Sequence, residues 1–325
     1  MRRRDFLKVI AGAATVWPIL AHAQTYPSRT VTVVVGYAAG GPTDTIARIM
    51  AEGMRRSLGQ AIIIENVTGA SGSIGTGRVA HAVPDGYTLN IGDVSTHVFN
   101  GATYSLQYDV LKDFEPVALL PSNPSLILAK NEVPAKDLRE LIAWIKANPD
   151  KVTAATAGVG SPGHVTLVRF QTVIGTRFQL VPYRGAAPAM QDVIAGRVDI
   201  LINQAANAIP QVRNGKLKAF AVTSKTRVAA APEIPTVDEA GLPGFYASTW
   251  RGLWAPKGTP KDIIAKLNAA VVEALADPAV RERLAGMGEE IPPREQQTPE
   301  ALGSFQKAEI EKWWPIIKAA NIKVE

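Results

Sequence analysis

The chain has 325 residues, 46% hydrophobic and 20% charged, which is apolar material for two ordinary domains and excludes a disordered chain. It contains no cysteine, so disulfide frameworks, thiolate metal sites and cysteine nucleophiles are excluded. The formal charge of +6 is spread without Lys/Arg clusters or interleaved aromatics, so no nucleic-acid partner is expected.

The first element is an export signal. Arg2-Arg3-Arg4-Asp5-Phe6-Leu7-Lys8 precedes an apolar run from Val9 to Leu20 and an A-x-A site at Ala21-His22-Ala23. The layout predicts a signal peptide over 1–23, cleaved near Ala23, and export to a bacterial periplasm. The arginine pair resembles a twin-arginine signal. A membrane anchor fits less well, because the run is short for a span and is not repeated. Removal leaves 31 basic and 28 acidic residues, a net +3 that suits small anionic ligands.

Val31–Val35 is a β-branched run that predicts a buried strand, followed by Gly36, the pair Gly40–Gly41 and a helix over Thr43–Leu58. A strand, a glycine loop and a helix start leave backbone N–H groups free at a positively polarised helix end, where anions bind. The competing reading is a tight turn capped by Thr43 or Asp44. A second apolar run, Ala61–Ile64, leads through Gly69–Gly75 into a helix ending near Ala82, and Tyr87–Gly92 is a third strand ending in Asp93-Val94-Ser95-Thr96-His97. This βαβαβ pattern predicts a parallel sheet with a ligand site at the carboxyl ends of its strands.

Val117–Leu120 and Leu126–Ala129 read as two short strands separated by Pro121-Ser122-Asn123-Pro124, a suitable crossing between domains. A second βα series follows. It comprises helix Leu138–Ala147, strand Val152–Thr156, loop Ala157–Gly163, helix Val165–Ile174, strand Phe178–Val181, helix Ala189–Ala195 and strand Val198–Ile202, with Asn203-Gln204 as loop. Leu217–Thr223 is a further strand. Ser248–Ala255 is a strand returning to the first domain, and Lys261–Ala276, Ala279–Met287 and Pro299–Ala319 are helical, with Trp313-Trp314 placed for packing. The organisation expected is α/β: domain 1 over 24–122 plus 249–325, and domain 2 over 123–248.

Gly158-Val159-Gly160-Ser161-Pro162-Gly163 fits G-x-G-x-x-G between a strand and a helix, and so raises an exported oxidoreductase with a nucleotide cofactor. Against it, Pro162 removes one N–H donor and the following strand ends in Pro182-Tyr183-Arg184 without an acidic ribose partner. Ser161 lacks the first glycine of a nucleophile elbow. His81, His97 and His164 have no metal-ligand spacing, so neither a metal nor a catalytic residue is expected. What remains is a set of hydroxyl- and amide-rich loops: Gly40–Asp44, Ser71–Gly75, Ser95–His97, Ser161–His164, Arg184–Ala187 and Asn203-Gln204. Donors without a nucleophile or base suit a binding cleft rather than catalysis.

The motifs together resemble the extracytoplasmic solute receptors of tripartite tricarboxylate transporters, the Bug family. They are Ala39–Arg48 (AGGPTDTIAR), Asn66–Gly75, Pro84–Leu89, Lys112–Val117, Gly158–His164, Val181–Ala189, Gly215–Leu217 with Ala221–Ser224, Pro235–Val237, Ala240–Phe245 and Leu253–Pro260. The resemblance spans essentially the whole mature chain. It implies a type II periplasmic binding protein, two α/β domains with a hinge and an interdomain cleft, without enzymatic activity or cofactor. It further implies a monomer that captures a small organic carboxylate and delivers it to membrane permease subunits; a carboxylate sensor feeding a kinase shares the same sequence features. Carried over, the resemblance places Tyr37, Gly40, Gly41, Thr43, Asp44, Ser95 and Thr96 on one side of the ligand, and Ser161, His164, Gly185, Ala186 and Asn203 on the other. Three residues depart from the family pattern: Ala39 for proline, Asn203 for aspartate, and Arg251, after Trp250, for an apolar residue. Arg251 is expected at the surface with its head in water. Its alternative role is to pair with a second ligand carboxylate.

Overall fold

The computed structural model describes residues 26–183 and 185–323; the signal peptide expected over 1–23 and Arg184 lie outside the described residues. β1 (Val31–Val35), β2 (Ile62–Asn66) and β3 (Thr88–Asp93) alternate with α1 (Pro42–Leu58) and α2 (Ser73–Ala80), and β1 pairs in parallel with both neighbours. The sequence of β1 is almost wholly apolar because both faces of this sheet are covered. Val31, Val33 and Val35 enter a core with Ile46 and Met50 of α1, while Val34 enters a second core on the opposite face.

A short helix, α3 (Asn100–Thr103), leads to β4 (Phe114–Ala129). Here the structure corrects the sequence reading: the two strands expected on either side of Pro121–Pro124 are one strand of 16 residues. Pro121 falls within a shift in register between Leu120 and Asn123, and Pro124 lies just beyond it, opposite Ser248 at the start of β9.

The second series follows as α4 (Leu138–Ala147), β5 (Thr153–Thr156), α5 (Pro162–Ile174), β6 (Gln179–Pro182), α6 (Ala186–Ile194) and β7 (Ile200–Gln204). β5 again pairs in parallel with both neighbours. α7 (Ala205–Arg213), which the sequence reading did not anticipate, runs on directly from β7, and β8 (Lys218–Val222) closes this half. β9 (Ser248–Pro256) returns to the first sheet, followed by α8 (Lys261–Ala276), α9 (Pro278–Gly286) and α10 (Pro299–Ala319). On α10, Trp313 is buried and shares the carboxylate of Glu309 with Trp250, their indole N–H groups at 2.9 and 3.1 Å.

The strand order is β2-β1-β3-β9-β4-β7-β5-β6, with β8 on β4. Each half therefore carries a reversal point, at β1/β3 and at β5/β7, the place where open α/β sheets bind ligands. Register fixes how the two points are disposed. Asp93, ending β3, lies opposite Arg251 of β9, which lies opposite Leu120 of β4; Gln204, ending β7, lies opposite Ser125 of β4. Both sets of carboxyl ends thus point toward the stretch Leu120–Ser125. Roughly 15 Å of strand separates them.

Candidate functional site

The first cluster of loops forms at the ends of β1 and β3. Gly36 is needed at the start because a Cβ there would meet the backbone of Gly72 at 2.6 Å. α1 then opens with Gly41 at its N-cap and Pro42 in its first turn. The N–H groups of Thr43 and Asp44, unpaired within a helix by geometry, have no partner among the described residues. Asp44 is buried with its carboxylate occupied. It accepts from Gly40 N at 2.8 Å, from Arg48 Nε at 2.8 Å and Nη2 at 3.0 Å, and from Asn66 Nδ2 at 2.9 Å. Against the cost of burial, these donors hold its carboxyl below the usual range. Asn66 also reaches the carbonyl of Tyr37, so one carboxylate and one amide fix the loop from both ends. Asp44 shapes the site through the loop it holds.

Asp93 does the same for β3. Its Oδ1 accepts from Tyr37 Oη at 2.8 Å, Ser95 N at 2.9 Å and Thr96 N at 3.1 Å, while the Thr96 hydroxyl accepts from Asp93 N. Burial raises the pKa of Asp93, although these donors and Arg251 oppose the shift. Burial and the neighbouring Asp93 raise Tyr37 in turn, so the phenol stays protonated as a donor. The structure therefore gathers Tyr37, Gly40, Gly41, Thr43, Asp44, Ser95 and Thr96 at one sheet end, with Thr96 and Asp44 turned inward as braces.

The second cluster forms at the ends of β5, β6 and β7, where α5, α6 and α7 all begin. Ser161 caps α5, accepting from His164 N at 3.3 Å, and His164 Nδ1 accepts from Gly160 N at 3.1 Å. Accepting at Nδ1 leaves the imidazole neutral with its proton on Nε2, in keeping with burial, which lowers the pKa of His164. Gly185 precedes α6 at φ 123°, a conformation that favours glycine, and Ala186 begins that helix. Asn203, at the end of β7, is buried. A small cavity between Ala157, Pro162, Gly163, Ala186 and Asn203 also touches Ser125 and Thr249 of the crossing strands.

This geometry weakens the nucleotide reading of Gly158–Gly163. Three of its five N–H groups are committed locally: Gly158 to the Thr156 hydroxyl, Gly160 to His164 and Ser161 to the carbonyl of Gly158, which leaves Val159 and Gly163. A pyrophosphate cradle requires those donors to be free. Among the described residues, no three His, Asp or Glu side chains gather as a metal site would need.

Arg251 is the largest departure from expectation. It is not at the surface: it is fully buried and pairs through Nη1 with Glu289, itself buried, at 2.9 Å. Its Nε faces Thr43 Oγ1 at 3.4 Å, and its Nη2 has no partner among the described residues. Burial raises the pKa of Glu289 against the pull of Arg251 and Asn123. Asn123 then completes a bridge: its Nδ2 donates to the carbonyl of Gly288 at 3.1 Å and its Oδ1 accepts from Ala206 N of α7 at 3.1 Å. Sequence reasoning missed Asp93, Asn123 and Glu289. Only Asp93 carried a local signal, an acidic residue two positions before Ser95 at a strand end.

Two α/β halves, each with a glycine- and hydroxyl-rich reversal point turned toward shared crossing strands, define a solute-binding protein of the periplasmic type. The family model for the tripartite tricarboxylate transporter family receptor matches residues 46–322, and the chain belongs to this family. It is 43% identical to the structure of MatC (Rpa3494) from Rhodopseudomonas palustris with bound malate, over 90% of this chain and 100% of that one, with a TM-score of 0.78. It is 39% identical to the structure of the periplasmic binding protein BugD, over 92% of this chain and 100% of that one, also at 0.78. A UPF0065 protein in the TAR-I ttuE-ttuC' intergenic region of Agrobacterium vitis is 41% identical over 95% of this chain and 89% of its own length. The chain is therefore a periplasmic solute-binding receptor of the Bug type, on the α/β fold of that group.

Proposed function

We propose that the two loop clusters are the jaws of one cleft, and that the cleft captures a small organic carboxylate for delivery to membrane permease subunits. Domain 1 would comprise 24–122 plus 249–325 and domain 2 residues 123–248, with hinges where β4 and β9 cross. The observation that carries this reading is the opening of α1: two unpartnered N–H groups at a positive helix end, held in place by the braced Asp44. Thr43, Gly40, Gly41, Tyr37 and Ser95 would meet the carboxylate on this side, and Ser161, Gly185, Ala186 and Asn203 on the other, with His164 as a neutral support. Malate bound to the MatC structure makes a four-carbon acid a reasonable first probe.

The first jaw is preformed and would bind first; contacts from the second then favour the closed state by the ligand's differential affinity for it. The protein would act as a monomer, after removal of residues 1–23 through the twin-arginine or general export route. The test is thermal unfolding of the mature protein with malate, succinate, glutarate, citrate and benzoate. An acid at a hundredfold its Kd adds about 2.7 kcal/mol of apparent stability. No shift with any acid would overturn the carboxylate reading.

A further inference from the structure

The second jaw contains a donor with nothing to donate to. Asn203 is 9% exposed, and its Nδ2 has no hydrogen-bond partner among the described residues. The orientation of its amide is fixed. Oδ1 accepts from Gln204 N at 2.8 Å, and only an oxygen can accept from a backbone N–H, so the free end is the NH₂ group. Asn203 borders both the small cavity at the crossing strands and a groove of about 510 Å³ that runs out between α6 and α7. The starts of α6 and α7 flank it and add partial positive charge. Neither space is lined by a carboxylate. In the first jaw, both buried carboxylates, Asp44 and Asp93, are taken up by the loops they brace.

We infer that Asn203 sets ligand polarity: the second jaw accepts an oxygen-bearing, acceptor-only end of an organic acid and rejects an α-ammonium group. This rests on the carboxylate-receptor reading above and narrows it to acids without an amino group. An ammonium placed here would lose its water, face an N–H donor, the positive ends of two helices and, in the groove, Lys216, and find one neutral acceptor, Gln204 Oε1, but no carboxylate. A hydroxyl, carbonyl or carboxylate oxygen would satisfy Nδ2 instead.

The test uses matched acids that differ by the ammonium group: succinate with L-aspartate, glutarate with L-glutamate, and 3-phenylpropionate with L-phenylalanine. Binding is measured by calorimetry on the wild type, Asn203→Asp and Asn203→Ala. In the wild type the amino-free member of any pair that binds is preferred by about tenfold or more. Asn203→Asp, which keeps an oxygen for Gln204 N–H, narrows or reverses that preference by a similar factor. Asn203→Ala weakens the amino-free acid without admitting the amino acid, and its melting temperature and its far-UV spectrum report whether it is folded. Equal or tighter binding of an amino acid by the wild type would overturn the inference, as would a preference unchanged in both variants while acids still bind. If none of these acids, nor malate or citrate, binds the wild type, the carboxylate reading itself falls and takes the inference with it.

Discussion

In the first loop cluster the buried carboxylates of Asp44 and Asp93 and the side-chain amide of Asn66 find partners within the protein, and what stays open among the described residues is backbone N–H at Thr43 and Asp44 and Nη2 of Arg251; in the second, the open groups are side-chain amide atoms, Asn203 Nδ2 and Gln204 Oε1. Both clusters stand at the reversal point of a sheet with the same local order, one parallel strand flanked by two others. The difference lies in how each is finished. Asp44 and Asp93 together accept seven hydrogen bonds of 3.1 Å or less from their surroundings, whereas the loops of the second cluster are held by neutral acceptors: the Thr156 and Ser161 hydroxyls, His164 Nδ1 and Asn203 Oδ1. A satisfied network is rigid and an unsatisfied one awaits a partner. On the proposed function, the first cluster would make the initial capture and the second would be completed by the ligand.

The comparison can be broken most severely at the residue behind the first cluster. Arg251→Met should cost about 3–5 kcal/mol in denaturant unfolding, because it strands Glu289 as a buried, unpaired carboxyl. The double variant Arg251→Met/Glu289→Met should regain most of that loss. A double variant no more stable than the single one would show that packing rather than charge pairing holds this position.

Asp44→Ala should cost about 2 kcal/mol and lower carboxylate affinity at least tenfold, since it frees the loop that carries Gly40 and Thr43. Unaltered affinity would mean that the first cluster is not preorganised by this brace.

Acid should act through His97, buried on the same half and held near a pKa of about 3 by burial. Its Nε2 donates to Asn90 Oδ1, its ring stacks on Trp254, and its Nδ1 has no partner among the described residues to take a proton. The unfolded chain therefore binds this proton first. Stability is lost as pH falls from about 6.5 toward 3, by about 2 kcal/mol at pH 5. Asp93 and Glu289, whose pKa values are raised, act in the opposite sense, adding stability as pH falls through the carboxylate range. Urea unfolding at pH 7.5 and 5.0 checks this: His97→Gln should flatten the difference, and an unchanged slope would remove His97 as its source.

The smallest effect belongs to the second cluster. Ser161→Ala removes one helix cap and should cost about 1 kcal/mol of stability. Its loss of ligand affinity should be smaller than that of Asp44→Ala; the reverse order would invert the assignment of capture and completion.

Much of this plan was legible in the sequence because it is written in local periodicity and turn chemistry. The strand Val31–Val35, the helix Leu138–Ala147 and the helix Pro299–Ala319 follow from apolar spacing and capping residues alone. The misreadings have physical causes. Pro121 and Pro124 signal an interruption, but a shift in register takes up the first and the second lies opposite the first residue of β9, so the strand continues. α7 was hidden because AANAIPQVR carries an internal proline and begins without a gap after β7. Arg251 defeated the surface expectation because β9 is covered on both faces, and its partner Glu289 lies 38 residues further on, in a connection with no periodic signal. No local rule foretells that pairing.

Asn123 has a mechanical consequence. Between the proposed domains, β4 and β9 run side by side as a two-stranded ribbon, and Glu290 pairs with Ser122 at 3.0 and 2.7 Å to lay a third thread beside it. A hydrogen-bonded ribbon bends easily out of its plane and resists shear and twist within it. Asn123 rivets this ribbon to both Gly288 and Ala206, so a relative movement of the two halves must carry both contacts along or break them. On the proposed function, closure of the jaws on a ligand would load these two hydrogen bonds first, which makes Asn123 the place where binding is felt outside the cleft.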